Sequence, residues 1–180
     1  KTTAVFDINL GCSGYVYGLW ICSTILETSG AKRALLLVGD TISKTVNKND
    51  ISNQILFGDA GSATALEFVK KNKQTYFLLG TDGSGGKDLY IPNSGFRKTA
   101  DNNSLIMNGS NVFSFVFKEI PNSINELLKW SKFKVEDINY FVFHQANKFM
   151  LKKVFDKLKI PEKKTLIKMG EFGNTSSATI

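Results

Sequence analysis

An alternation of short, nearly continuous apolar runs with longer helical patterns is the feature that most restricts the fold of this sequence. Six runs rich in Val, Ile, Leu and Phe predict strands, at Thr3–Ile8, Ala34–Gly39, Ser62–Val69, Thr75–Thr81, Asn139–Phe143 and Thr165–Met169. Three helices are predicted between them, at Ser13–Ser29, Val112–Trp130 and Asn147–Leu158. Continuous apolar runs are typical of sheets covered on both faces. Because strands and helices alternate, we expect a layered α/β fold.

The three predicted helices differ in the surroundings that their sequences favour. The first has almost no polar face, which predicts a buried helix. The second contains Pro121, which predicts a kink or two helical pieces. The third has an apolar stripe at i, i+3, i+4 and i+7, formed by Leu151, Val154, Phe155 and Leu158. Its lysines occupy the remaining positions, so we expect a docked surface helix with a basic outer face.

Charge is concentrated near the C-terminal end of the sequence. The chain of 180 residues has a net charge of +7, of which +6 lies in residues 148–168. A basic balance taken alone favours nucleic acid or another anionic partner, and we expect such a partner to meet this one surface.

Two cysteines cannot form a disulfide framework, so a reducing, cytoplasmic location is expected.

The longest uncharged stretch lies between Asp7 and Glu27 and has 19 residues, close to the length of a membrane span. Polar residues and glycines interrupt it, so we expect a strand, a turn and a helix, and no membrane span.

The sequence begins without Met at a strand pattern and stops where another helix pattern starts. We therefore expect a piece of a longer protein.

Cys12 lies in the sequence DINLGCSG, where a predicted strand gives way to the first helix. Unpaired N–H groups and the helix dipole at such a junction favour a thiolate, although a free cysteine is commonly a small buried apolar residue. Cys22 lies within the apolar stretch of the helix, and core packing is expected for it.

His144 is the only histidine, and it ends the apolar run of a predicted strand. Asn174 follows Gly173 and precedes a Thr-Ser-Ser run, where an asparagine is often a helix N-cap. The order Cys12, His144, Asn174 favours nucleophilic catalysis, either as in a papain-like protease or as thioester chemistry in a thiolase-like fold. The papain cysteine signature is missing, and no cluster of His and Cys predicts a metal site.

Seven motifs in order resemble β-ketoacyl-acyl-carrier-protein synthase III, a condensing enzyme of the thiolase superfamily. They are DINLGCSGYVYGL, LLVGD, ILFGDAGSATALE, GTDGSGGKDLYIP, MNGSNVF, FHQAN and EFGNTSSATI. The resemblance implies a thiolase-like layered α/β/α/β/α fold, present here as one partial domain over residues 1–180. Residues 1–70 would complete the first half, with the nucleophile, and residues 71–180 would form most of the second half. The N-terminal part and the final C-terminal segment of the family fold would be absent, so this piece alone is expected to be inactive.

The resemblance also implies an acyltransferase activity. It implies a decarboxylative Claisen condensation of an acyl-CoA primer with malonyl-acyl carrier protein, through acyl-Cys12, with His144 and Asn174 stabilising the enolate. The product would be a 3-oxoacyl-acyl carrier protein, at the start of fatty acid biosynthesis or in a related pathway. A type III polyketide synthase-like enzyme and a papain-type cysteine hydrolase are the alternatives. A homodimer with no tightly bound cofactor and no nucleic-acid partner is expected.

Binding of the carrier and of coenzyme A is expected around the start of the third helix. By the same resemblance, Asn147 would contact coenzyme A or phosphopantetheine, while Lys148, Lys152 and Lys153 would dock the acidic carrier protein. Phe149 stands where the family usually has an arginine for carrier docking. We expect the lysine-rich helix to substitute for that arginine.

Overall fold

The computed structural model describes residues 2–70, 74–93 and 103–180. Its helices are α1 (Gly14–Thr28), α2 (Ile51–Gln54), α3 (Gly109–Ser131), α4 (Lys148–Leu158) and α5 (Met169–Phe172). Its strands are β1 (Arg33–Asp40), β2 (Ala60–Glu67), β3 (Leu89–Tyr90) and β4 (Ile106–Met107). Short 3₁₀ turns lie at Ile42–Lys44, Gly83–Gly85, Val135–Asp137, Glu162–Lys164 and Ser176–Thr179.

β1 and β2 form an antiparallel ladder in which Arg33 faces Glu67 at one end and Asp40 faces Ala60 at the other. The predictions at Ala34–Gly39 and Ser62–Val69 are therefore confirmed, the second with a shift of two residues. β3 and β4 pair over two residues only. Elsewhere in the described chain, single parallel bridges join Phe57 to Asn174 and Phe141 to Thr165.

Four of the six predicted strands do not form ladders among the described residues. Thr3–Ile8 and Thr75–Thr81 have no assigned strand, and the runs at Asn139–Phe143 and Thr165–Met169 share only the Phe141–Thr165 bridge. Met169 begins a short helix instead. The strand prediction is wrong at these places because a ladder needs a partner strand, whereas apolar content describes only one side of the pairing.

α1 covers one face of the β1–β2 pair. A Cβ added at Gly18 would lie 2.5 Å from Cδ1 of Leu36, so the helix approaches the strand through a glycine. Leu36 is only 8% exposed, but Leu35 and Leu37 on the opposite face are 63% and 67% exposed. The prediction that this sheet is covered on both faces is therefore wrong for the described chain. Complete burial of α1 is also wrong, because only Gly18 and Leu26 of its residues are buried.

The compact core lies between α3 and α4. The buried residues of this core are Leu151, Val154, Phe155, Leu158 and Ile160, and α3 packs Val116, Ile120 and Ile124 against them. The stripe predicted for the third helix is thus confirmed, and the lysines of α4 are exposed. Pro121 lies inside α3, which continues from Gly109 to Ser131 as one helix, so the expectation of two pieces is wrong.

α3 and α4 begin with asparagine caps. The side chain of Asn108 accepts from Asn111 N–H at the start of α3. Such caps fix where a helix starts, which explains why α3 begins three residues before its predicted boundary. No helix in the described part of the chain combines the length and apolar content needed to cross a membrane.

Candidate active site

Cys12 lies in the turn that leads into α1. The N–H of Gly14 donates to the Gly11 carbonyl at 2.8 Å and closes this turn. Burial raises the pKa of the Cys12 thiol; the Ser176 side chain and the backbone at Cys12 oppose this shift, and Asp40 adds to it. The expectation of a thiolate is therefore wrong for the unliganded protein, because desolvation outweighs the favourable dipoles at the helix terminus.

His144 follows the strand-like segment that ends at Phe143. Its Nδ1 atom lies 2.5 Å from Oγ1 of Thr179. Burial lowers the pKa of His144 to about 4, against an opposing hydrogen bond with the Ser176 backbone. The imidazole is therefore neutral at pH 7 and carries one ring proton.

Asn174 is held at the site by backbone pairing with the chain before β2. Its N–H donates to Leu56 O at 2.8 Å, and its carbonyl accepts from Gly58 N–H at 3.0 Å. The side chain is buried, and its Oδ1 accepts from Ser176 N–H at 3.0 Å. Because this bond uses the amide oxygen, the Nδ2 hydrogens are the part of the amide left for a ligand.

The three candidate residues converge on one cavity of about 770 Å³, a volume within the range of small-molecule sites. Cys12, His144 and Asn174 all line it, although the first and the last are 162 positions apart in the sequence. Apolar side chains form much of the remaining wall, among them Leu56, Leu89, Met107, Val112, Phe113 and Val116. A nucleophile, two polar side chains and an apolar wall are the parts that acyl transfer to a hydrocarbon substrate needs.

The turn Ser176–Thr179 connects these groups, and Asp40 anchors it. Oδ2 of Asp40 accepts from the Ser177 hydroxyl at 2.8 Å and from Ser177 N–H at 3.3 Å. Ser176 has a φ of 54°, a left-handed conformation that a serine seldom adopts, so tertiary contacts must hold the turn.

Sequence reasoning missed Asp40, Ser176 and Thr179 as site residues. The Asn-x-Ser spacing at Asn174 is a signal for a side-chain-to-backbone turn of this type. Nothing comparable in the sequence connects Asp40 to this turn, because 137 positions separate it from Ser177.

Asn147 and the lysines of α4 lie at and beside the cavity. Asn147 lines the cavity, but its Oδ1 accepts from Phe149 N–H and Met150 N–H, so it also caps α4. Lys148, Lys152 and Lys153 are exposed. They do not line the cavity, and they form part of the exposed basic face of α4 beside it.

Phe149 forms an exposed aromatic rim of the cavity. Its side chain is 61% exposed and stacks on Phe113 with ring centroids 5.9 Å apart. Nζ of Lys153 lies 5.6 Å from the Phe149 ring centroid. The position that would carry a docking arginine thus presents a phenyl ring beside a lysine.

Within residues 2–70, 74–93 and 103–180, no three His, Cys, Asp or Glu side chains converge to form a candidate metal site. Cys22 lies in α1 as a free, half-buried thiol. It is not among the residues that line the cavity.

Comparison with known families matches both ends of the described site. Residues 6–83 match the profile of 3-oxoacyl-(acyl-carrier-protein) synthase III, and residues 128–180 match the profile of its C-terminal region. The first match contains Cys12, and the second contains His144 and Asn174. Together they include every residue of the candidate trio.

Individual relatives and solved structures agree with these profiles. The chain is 36% identical to beta-ketoacyl-(acyl-carrier-protein) synthase III 2 of Staphylococcus epidermidis, over all of this chain and 57% of that protein. A crystal structure of 3-oxoacyl-(acyl-carrier-protein) synthase III superposes with a TM-score of 0.92 and 39% identity, over 96% of this chain and 57% of the other. The 3-oxoacyl-(acyl-carrier protein) synthase of Burkholderia xenovorans also gives 0.92 and 39%, over 97% and 53%.

The chain spans just over half the length of these relatives. The agreement nevertheless includes both halves of the site and the thiolase-like arrangement of helices and strands. The chain therefore belongs to the 3-oxoacyl-(acyl-carrier-protein) synthase III family.

Proposed function

We propose that the protein containing this chain is a condensing acyltransferase that joins an acyl-CoA primer to malonyl-acyl carrier protein. The observation that carries the proposal is the convergence of Cys12, His144 and Asn174 on one largely apolar cavity. The product is a 3-oxoacyl-acyl carrier protein, made at the start of fatty acid biosynthesis. The reaction uses both thioesters as substrates and needs no tightly bound cofactor.

The first half-reaction is acyl transfer to Cys12. Its sulfur attacks the thioester carbonyl of acyl-CoA, the bond from that carbonyl to the CoA sulfur breaks, and the thiol proton leaves with coenzyme A. Because burial raises the pKa of Cys12, the thiol loses its proton as the new bond forms. The N–H of Cys12, in the turn before α1, serves as one donor to the oxyanion.

The second half-reaction is decarboxylation and carbon–carbon bond formation. Loss of CO₂ leaves the electron pair of the malonyl group on an enolate, whose carbon attacks the acyl carbonyl of acyl-Cys12. The bond to sulfur then breaks, and the Cys12 thiolate takes up a proton from solvent. His144 and Asn174 donate hydrogen bonds to the thioester oxygen as negative charge develops there, and one such donor typically contributes about 10²–10³ in rate.

The proposed carrier docking surface is the exposed face of α4 that contains Lys148, Lys152 and Lys153. Positive charge at the rim of a site steers an acidic partner, and residues 148–168 contain +6 of the net charge. Asn147 lies at the cavity and contacts the phosphopantetheine arm that both thioesters share. Phe149 and Lys153 replace the usual docking arginine with an apolar and a cationic contact.

The protein is also proposed to be a cytoplasmic homodimer. The proposal follows from the membership of the chain in the 3-oxoacyl-(acyl-carrier-protein) synthase III family. Sedimentation of the full-length protein at micromolar concentration is expected to give twice the protomer mass. A monomer under these conditions would contradict the dimer.

The hydrogen bonding of Asn174 disfavours a papain-type hydrolase. In that chemistry the asparagine orients the histidine, whereas here Oδ1 of Asn174 accepts from Ser176 and Nδ1 of His144 contacts Thr179. A type III polyketide synthase-like enzyme shares the trio but is not favoured by any contact in the described residues.

The test is to incubate the full-length protein with a panel of acyl-CoA thioesters and measure the masses of its peptides. One acyl group is expected on the Cys12 peptide, none in Cys12→Ala, and the wild-type adduct in the control Cys22→Ala. Release of 3-oxoacyl product is expected only after malonyl-acyl carrier protein is added. Absence of an adduct across the panel, or turnover of peptides or esters without a malonyl donor, would contradict the proposal.

A further inference from the structure

The two ring nitrogens of His144 have different surroundings. Nδ1 lies 2.5 Å from Oγ1 of Thr179, and the Ser176 backbone is a further hydrogen-bond partner of the ring. Nε2 is the ring nitrogen that Thr179 does not contact, and His144 lines the cavity. A neutral imidazole has one N–H, so only one of these nitrogens can donate a hydrogen bond. The position of that proton decides whether His144 can donate to a substrate oxygen.

The hydroxyl of Thr179 also has one proton, and two acceptors lie within reach of it. One is Nδ1 of His144 at 2.5 Å, and the other is the Ser176 carbonyl at 3.1 Å. If the hydroxyl donates to Ser176, Nδ1 must carry the ring proton and Nε2 has none. If it donates to Nδ1, the ring proton must lie on Nε2.

We propose that Thr179 is a positioning residue whose hydroxyl donates to Nδ1 of His144 and thereby keeps the ring proton on Nε2. This inference rests on the proposed function, in which His144 donates a hydrogen bond to the thioester oxygen. The shorter of the two contacts of Thr179 is the one to the ring. A hydroxyl rotates to its better acceptor at little cost.

The hydrogen bonding of Asn174 follows the same pattern, in which the turn occupies an acceptor atom and leaves a donor for the ligand. Its Oδ1 accepts from Ser176 N–H, so the turn Ser176–Thr179 occupies the acceptor atom of the amide. Thr179 occupies the acceptor atom of the imidazole from the other end of this turn. The turn thus leaves a donor on each side chain, and two donors are what a developing enolate oxygen requires.

The first measurement is the tautomer of His144 in the full-length protein. Histidine labelled with ¹⁵N in the ring is examined by NMR at pH 7 without substrate, and the His144 signals are assigned by their loss in His144→Gln. We expect Nδ1 to give the shift of an unprotonated nitrogen and Nε2 that of a protonated one. The opposite tautomer in the wild-type protein would overturn the proposal.

Matched variants connect the tautomer to the reaction. Thr179→Val keeps the shape but has no hydroxyl, so the ring proton is expected to move to Nδ1 and donate to the Ser176 carbonyl. The kcat for malonyl-dependent condensation should then fall about 10²-fold, with little change in KM or in acyl transfer to Cys12. Thr179→Ser restores the hydroxyl and should restore both the tautomer and the rate. Thr75→Val, an exposed substitution outside the cavity, is the control.

The variants separate a positioning role from a packing role. A Thr179→Val protein that keeps the Nε2–H tautomer, or a Thr179→Ser protein that behaves like Thr179→Val, would overturn the proposal. The tautomer measurement needs no substrate, so it remains decisive if the condensation reaction itself is not found. Loss of the proposed function would appear instead as a missing acyl adduct on Cys12.

Discussion

The protonation state of single side chains at this site depends on their burial as much as on their chemical type. Cys12 and His144 both have pKa values that burial shifts towards the neutral form, upward for the thiol and downward for the imidazole. At pH 7 the cavity is therefore lined by a protonated thiol at Cys12 and an uncharged imidazole at His144. Negative charge that develops beside an uncharged, fixed hydrogen-bond donor is the condition under which such a donor is most effective.

Asn174→Asp is the substitution that best isolates the amide donor. The carboxylate can still accept from Ser176 N–H and preserve the turn, but it has no N–H for the enolate oxygen. We expect malonyl-dependent turnover to fall by about 10²–10³, while acyl transfer to Cys12 continues. Single-turnover kinetics of the two half-reactions provide the measurement. Asn139→Asp, at an exposed position, is the control, and an unchanged condensation rate in Asn174→Asp would rule out this role.

His144 should make the folded protein sensitive to acid. Its folded pKa of about 4 lies below the ordinary value of 6.5, so the unfolded chain binds more protons between these two values. The stability contributed by the neutral ring is complete above pH 6.5 and is lost as pH falls towards 4. Between pH 7 and 5 the free energy of unfolding should fall by about 2 kcal/mol more in wild type than in His144→Gln.

Urea denaturation of the two proteins at both pH values measures this difference. The comparison with His144→Gln removes the contribution of all other titrating groups. Equal losses of stability in the two proteins would mean that His144 titrates near its ordinary pKa when folded.

At the scale of elements, the site depends on two chain segments that approach unusually closely. A Cβ at Gly58 would collide with the Phe172 carbonyl, and one at Gly173 would lie 2.8 Å from Leu56 O. Gly173 also has a φ of 67°, a backbone angle that residues other than glycine rarely adopt. These glycines allow the Phe57–Asn174 bridge, which holds Asn174 at the cavity.

Gly58→Ala should therefore displace Asn174 without touching the substrate itself. A shift of about 1 Å in a positioning segment can reduce turnover about 10²-fold, and we expect a loss of that size in kcat. Steady-state kinetics together with thermal melting of the folded variant form the test. Gly80→Ala is the control, because an added Cβ there contacts nothing within 4 Å. A Gly58→Ala protein with normal kcat would show that this close approach is not required.

Element prediction succeeded where local pattern and tertiary environment agree. The apolar stripe of α4 that ends at Leu158 is a local signal, and the structure contains it. α1 has a local signal for helix that is correct, but the burial inferred from it is not, because Val16 and Trp20 remain about 40% exposed. Exposure depends on what packs against a helix, and its own sequence does not contain that information.

At the scale of the whole molecule, charge is distributed unevenly around the cavity. The basic face of α4 lies beside the rim that Phe149 and Phe113 form. Long-range attraction to an acidic partner is weakened by salt, whereas the aromatic contact is not. The combination predicts carrier binding that weakens with ionic strength but is not abolished by it.

Reversal of two of these charges tests the docking surface. Lys152→Glu with Lys153→Glu should raise the KM for malonyl-acyl carrier protein roughly tenfold and flatten its salt dependence. The rate of acyl transfer from acyl-CoA should not change. The matched control is Lys129→Glu with Lys132→Glu at the end of α3, where both lysines are also exposed. An unchanged KM in the α4 variant would place the carrier elsewhere.

Sequence patterns alone predicted the helices α1, α3 and α4, the strands β1 and β2, and the candidate site residues Cys12, His144 and Asn174. These features are local, since they follow from periodicity, caps and short motifs within about twenty residues. The alternation of elements also sufficed for the layered α/β class. The division at residues 70 and 71 stays a prediction.

The contacts that govern the chemistry of those residues are visible only in three dimensions. The tertiary structure placed Asp40 against Ser177, Thr179 against His144 and Phe57 beside Asn174, contacts between positions far apart in the chain. It also showed that burial raises the pKa of Cys12, opposite to the direction expected from the helix terminus. Burial, strand pairing and the partner of a ring nitrogen depend on neighbours in space, and a linear pattern does not specify those neighbours.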